Sequence, residues 1–192
     1  LFGEKLHPRI SSEILLVSAY SLLGEKKKAL EYCQALLYEG TVEMMDFLAN
    51  YLSLCEDDKK ELCFSSVRGM EAAFSLKSLL PHKMIHLYMM EAVYYGEQKN
   101  RGKTLKALYD YGETLQKNWK DFTIHGDAFF DLLEQWIQEV EIRREMPRNM
   151  QFIREDIIRS VKENPVFDFL KEEKEFRILI KRLENLQIEE RD

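Results

Sequence analysis

The stretch Leu16-Val-Ser-Ala-Tyr20-Ser-Leu-Leu-Gly24-Glu-Lys-Lys-Lys-Ala29-Leu30 reads as the end of one helix, a turn centred on Gly24, and a second helix folded back on the first. Glycine reaches the left-handed backbone region without steric cost, so Gly24 permits the reversal. Ala29, small, lets the two helices approach closely. Upstream, Pro8 suits the first turn of the first helix, where its missing N–H costs nothing. Downstream, Ala29, Leu30, Cys33, Leu36 and Leu37 recur at helical spacing and are expected to form one buried face, with a stop near Gly40.

The same rhythm continues along the chain. Thr41 is expected to cap a third helix, with Met44, Met45, Leu48, Tyr51, Leu52 and Cys55 inward. Asp58 and Glu61 have the spacing of a capping box for a fourth, which carries Leu62, Cys63, Val67, Met70 and Phe74. Gly69 lies inside that helix, where a close helix–helix approach would account for it. Leu80-Pro81 is the next break. A fifth helix follows through Met84, Ile85, Tyr88, Ala92 and Tyr95 to near Gly96. After Asn100-Arg101-Gly102, a sixth carries Leu105, Leu108, Tyr109, Gly112 and Leu115. The longest irregular loop is expected from Asp121 to Gly126. Asp127 then caps a seventh helix with Phe129, Phe130, Leu133, Trp136, Ile137 and Val140 on one face. Met146-Pro147 precedes an eighth with Met150, Ile153, Ile157, Ile158 and Val161. Asn164-Pro165 ends it, a short apolar turn follows, and a last helix carries Phe176, Leu179, Ile180, Leu183 and Leu186. The tail from Glu189 is charged and expected to fray.

Alternation at period two is nearly absent, and 8 Gly and 4 Pro in 192 residues are too few for a sheet rich in hairpins. The fold class is therefore all-α: about nine helices in stacked antiparallel hairpins, a right-handed solenoid. A single hairpin cannot bury its stripe alone, so neighbours stack and share a core. One domain over 1–192 is expected, with 164–188 as a C-terminal capping segment.

Charge narrows the function. With 28 basic and 34 acidic side chains the net charge is −6. Nucleic-acid binding rests on excess positive charge, so this segment is not expected to touch DNA. Its longest basic run, Lys26-Lys27-Lys28, reads as a solvated helix start. No apolar run is long enough to span a membrane, and the N-terminus lacks a secretory pattern. Cys33, Cys55 and Cys63, spaced 22 and 8 apart, match no zinc or redox motif and read as reduced, buried core thiols of a cytoplasmic protein. The chain opens at Leu1 rather than Met and is expected to be a fragment.

No phosphate loop, nucleophile elbow or catalytic carboxylate pair occurs, so no enzyme and no cofactor are expected. His82 and His86 share a helix face without a third metal ligand, and no metal site is assigned. The candidate ligand or peptide groove lies on the fifth helix, where Tyr88, Glu91, Tyr94 and Tyr95 cluster, joined by Asn50 and Tyr51 from the third. Tyrosine buries a ring and still offers a hydroxyl, and asparagine meets an extended backbone with both donor and acceptor. The competing reading is that these tyrosines simply pack between hairpins.

Leu16, Tyr20, Gly24 and Ala29 fall at the spacing of the tetratricopeptide signature, and residues 8–40 resemble one such repeat. The segment from Asn164 to Leu183, with Pro165-Val-Phe-Asp-Phe-Leu170 leading into Phe176-Arg-Ile-Leu179, resembles the closing segment of tetratricopeptide-like arrays in bacterial regulators. Some of those, notably from clostridia, carry a helix-turn-helix at their N-terminus. The resemblance implies a sensor and dimerisation domain of a transcription factor. It would be a homodimer binding a peptide, small effector or partner protein, with DNA contacted through a missing N-terminal domain. The alternative is a stand-alone tetratricopeptide-type adaptor. A catalytic helical domain ranks last.

Overall fold

The computed structural model describes residues 12–119, 125–139 and 150–186, and every regular element among them is helical. The order is α1 (Ser12–Leu22), α2 (Lys26–Leu54), α3 (Asp57–Phe74), α4 (Leu76–Leu79), α5 (Pro81–Glu97), α6 (Arg101–Asn118), α7 (Leu133–Glu139), α8 (Met150–Lys162), a 3-10 turn (Pro165–Leu170) and α9 (Lys174–Glu184). The chain is all-α, with about the number of helices its sequence predicts. Pro8, Met146-Pro147, Val140 and the tail from Glu189 lie outside the described residues, as does the loop expected from Asp121 as far as residue 124.

Gly24 adopts φ +79° and makes the first turn as expected. The break expected at Gly40 and Thr41 is absent: α2 runs unbroken for 29 residues. Thr41 does not cap. Its hydroxyl donates to the Leu37 carbonyl one turn back (2.7 Å), as a threonine inside a helix does. Glycine in mid-helix costs about 1 kcal/mol but does not end a helix whose flanks keep their period. The capping box at Asp58 and Glu61 is also absent. Glu56 occupies the N-cap of α3 without a side-chain bond, and Asp57 and Asp58 sit in the first turn, where they favour the helix dipole. Pro81 opens α5 and Asn100 caps α6, its side chain accepting from the Lys103 N–H.

The described residues belong to two compact units. In the first, residues 12–44 meet residues 125–139. Gln34 fastens the second segment: its amide nitrogen donates to the Phe129 carbonyl (2.9 Å) and to Asp131 (2.7 Å). Its amide oxygen accepts from the Leu132 N–H (2.8 Å). The Asp127 carboxylate takes the N–H groups of Phe129 and Phe130, an Asx turn that precedes α7 rather than capping it. Phe130, Leu133 and Ile137 are buried while Phe129 is exposed. Tyr38 packs against the Trp136 ring, and burial pushes its phenol up to about 12.

In the second unit α5 and α6, joined by a short turn, form the central hairpin. Leu87, Tyr88, Ala92, Ala107, Leu108, Tyr111 and Leu115 are all buried there. The C-terminal segment packs on this hairpin, the 3-10 turn against α5 and α9 against α6. Two glycines admit it. A Cβ on Gly96 would fall 2.5 Å from Val166 Cγ1, and one on Gly112 would fall 2.5 Å from Leu179 Cδ1. Phe167, Leu170 and Phe176 are thereby buried, at roughly 2–3 kcal/mol each. Asn164 starts the turn by accepting from the Val166 N–H (3.1 Å). Gly69, where a close approach was expected, faces open space.

These glycines give opposite expectations. Gly96→Ala meets a stiff β-branched side chain backed by buried Phe167 and should lower stability by about 1–2 kcal/mol in urea unfolding. Gly69→Ala has room and gains helix propensity, so it should raise stability by about 0.5–1 kcal/mol.

Candidate functional site

Four helices of the second unit bring their charged side chains to one place. Arg68 of α3 donates to Glu91 of α5 (2.6 Å) and Asp110 of α6 (2.7 Å), and lies 3.4 Å from Glu71. Lys77 of α4 meets Asp110 (2.9 Å), Glu113 (3.1 Å) and Glu71 (3.5 Å). Two cations thus face four carboxylates. The guanidinium also lies over the Tyr88 ring, 4.5 Å from its centre. Arg68, Glu71, Glu91 and Asp110 expose between 13 and 21% of their side chains, so water screens these pairs far less than surface pairs.

The local chain geometry explains the convergence. Arg68 and Lys77 are nine residues apart, which in a continuous helix places them on opposite faces. Ser75 breaks the helix with φ 51°, and α4 starts again immediately after it. The reversal lets both cations reach Asp110. Burial disfavours the charge on Arg68, yet Glu91 and Asp110 outweigh it and its pKa rises. Burial likewise raises the Glu91 carboxyl above the usual glutamate range, more than Arg68 lowers it. The Tyr88 hydroxyl is enclosed without a hydrogen bond of ordinary geometry. Burial first, and the Glu71 carboxylate second, hold the phenol far above its usual pKa.

The residues singled out from sequence separate into three groups. Tyr88 and Glu91 belong to this ionic cluster. Tyr94 and Tyr95 are buried against Phe64, with ring centres 5.5 and 6.1 Å away. The Tyr94 hydroxyl donates to the Asp57 carbonyl, and the Tyr95 hydroxyl accepts from Lys103 (3.4 Å). Asn50 and Tyr51 lie exposed on α2, where the Asn50 amide donates to the Asp46 carbonyl within its own helix. His82 and His86 are both exposed. Among the described residues no group of three or more metal-ligating side chains converges, and no helix is long and apolar enough to cross a membrane.

The inward face expected for α2 requires correction. Tyr38, Met45 and Leu52, seven residues apart, are buried. Leu30, Leu37, Met44 and Tyr51, also seven apart, are 45–49% exposed, and Phe47 and Leu54 beside them are 62 and 86% exposed. One helix carries two apolar faces, and only one of them is covered. Leu15, Leu22 and Leu23 at α1 and its turn are exposed as well.

Removing Arg68 leaves Glu91, Asp110 and Glu71 short of a counter-charge. Arg68→Met should cost about 2–3 kcal/mol at pH 7. Loss of the cation lifts Glu91 further above its unfolded pKa, so the folded state binds the extra proton. Stability therefore falls as pH rises through that folded pKa, and the deficit of the variant should shrink as pH drops from 7 towards 5 in denaturant titrations. Tyr88→Phe removes an unsatisfied buried hydroxyl and should leave stability unchanged or higher by up to about 1 kcal/mol. Set against protein-family models, curated proteins and solved structures, the chain matches none of them.

Proposed function

We propose that this chain is the regulatory, partner-binding domain of a bacterial transcription regulator, working in the cytoplasm by binding a peptide, small effector or partner protein and not by catalysis. The observation that carries the reading is the uncovered apolar row along α2, to which α1 and its turn add exposed leucines of their own. Folded monomers seldom leave contiguous apolar area of more than a few hundred Å² in water, and where they do it serves to meet another surface. The ionic cluster ties α3, α4, α5 and α6 of the second unit together by half-buried pairs, as a stiff helical scaffold needs. The net charge of −6 argues that DNA is held by a separate domain. Three free cysteines, of which Cys63 is buried while Cys33 and Cys55 are only partly covered and not core thiols as expected, agree with a reducing compartment.

The mechanism is a shift in population. A ligand that prefers one arrangement of the helices biases the geometry passed to the DNA-binding domain, by no more than its difference in affinity for the two states. The coding sequence upstream of Leu1 tests the reading: a helix-turn-helix is expected there. If the gene encodes no such motif, the chain is a stand-alone adaptor acting through the same α2 face.

A further inference from the structure

The uncovered face of α2 has the pattern of a coiled-coil seam, and we infer that it pairs antiparallel with α2 of a second copy of this chain. The inference rests on the partner-binding reading above and names the partner. Leu30, Leu37, Met44 and Tyr51 take one core position of the heptad, and Cys33, Gly40, Phe47 and Leu54 take the other. A strict seven-residue repeat keeps such a seam facing one partner helix.

The order of side-chain sizes selects the orientation. Antiparallel pairing about the midpoint of the seam sets Leu30 against Leu54 and Leu37 against Phe47. It also sets the small Cys33 and Gly40 against the large Tyr51 and Met44. Each small side chain then meets a large one, the other two layers join large apolar side chains, and the same four layers repeat by two-fold symmetry, as an isologous interface requires. Parallel pairing would instead stack Gly40 on Gly40 and Tyr51 on Tyr51, leaving a void in one layer and crowding another.

Gly40 is otherwise unexplained. It sits exposed in mid-helix, and a Cβ there would meet nothing within 4 Å in its own chain. A Met44 side chain arriving from a second copy gives it a use. The extent of the face also suits a dimer. The six large exposed side chains offer roughly 600–700 Å² per copy at about 200 Å² for a fully exposed large residue. A stable interface takes about 800 Å² per partner, and these six side chains supply most of it.

The test is light scattering of this chain from low to high micromolar, with two variants. A dimer is expected. Gly40→Leu overfills the Met44 layer and should weaken the dimer by at least about 10-fold while the monomer, by circular dichroism, melts no lower than the wild type. In a Cys55→Ser background, Tyr51→Cys should be joined to Cys33 of the other copy by a short bis-maleimide. Cys33 alone should not cross-link, because antiparallel pairing holds it roughly 27 Å along the seam from its own copy. A dimer indifferent to Gly40→Leu, or one cross-linked through Cys33 alone, would overturn the inference. A monomer at every concentration would overturn it too. The broader reading would then still stand or fall on the upstream helix-turn-helix, so the two failures are distinguishable.

Discussion

The second unit depends on one constraint: the hairpin of α5 and α6 is apolar on more than one side, and each side must be covered. Leu108 and Tyr88 are almost wholly enclosed, as is Ala92. One set of neighbours is α3 and α4, held by the half-buried ion pairs of Arg68 and Lys77. Another is the C-terminal segment, admitted where Gly96 and Gly112 lack side chains. The two attachments differ physically. The glycine contacts are shape-dependent and dry. The ionic contacts are costly to desolvate and fix geometry more than they add stability.

Much of this was legible in sequence. The reversal at Gly24, the start of α5 at Pro81, the cap at Asn100 and the turn at Asn164-Pro165 all follow from local chemistry that the surroundings do not override. Where reading failed, a local signal was real but weak. Gly40 and Thr41 look like a stop and a cap, yet both are tolerated within a helix, and an uninterrupted period on either side prevailed. Which face of α2 is inward was not legible at all. Leu37 and Tyr38, like Met44 and Met45, are adjacent and similarly apolar, and a periodic stripe does not say which of two faces meets its own chain.

The site was less legible than the fold. Tyr88 and Glu91 stood out because tyrosine and glutamate recur on one face, but their partners did not. Arg68 is embedded in an apolar stripe, and Asp110 lies between two tyrosines. A lone charge in an apolar context is the available signal, and it does not identify its counter-ion 23 or 42 residues away. Tyr94 and Tyr95 carried the same signal as Tyr88 and pack against Phe64 instead of joining the ionic cluster, a difference that helical spacing alone does not encode.

Ser75 has a consequence for how this chain can change. A helix spanning Asp57 to Leu79 without that left-handed residue would point Lys77 away from Arg68, and the carboxylate of Asp110 would keep one cation instead of two. Adding or removing a single residue between Glu71 and Lys77 rotates everything beyond it by about 100°. Exchanging Lys77 for Arg, or Glu113 for Asp, leaves that direction intact. The connection between α3 and α4 can therefore change its charged side chains more freely than its length or the left-handed backbone at Ser75.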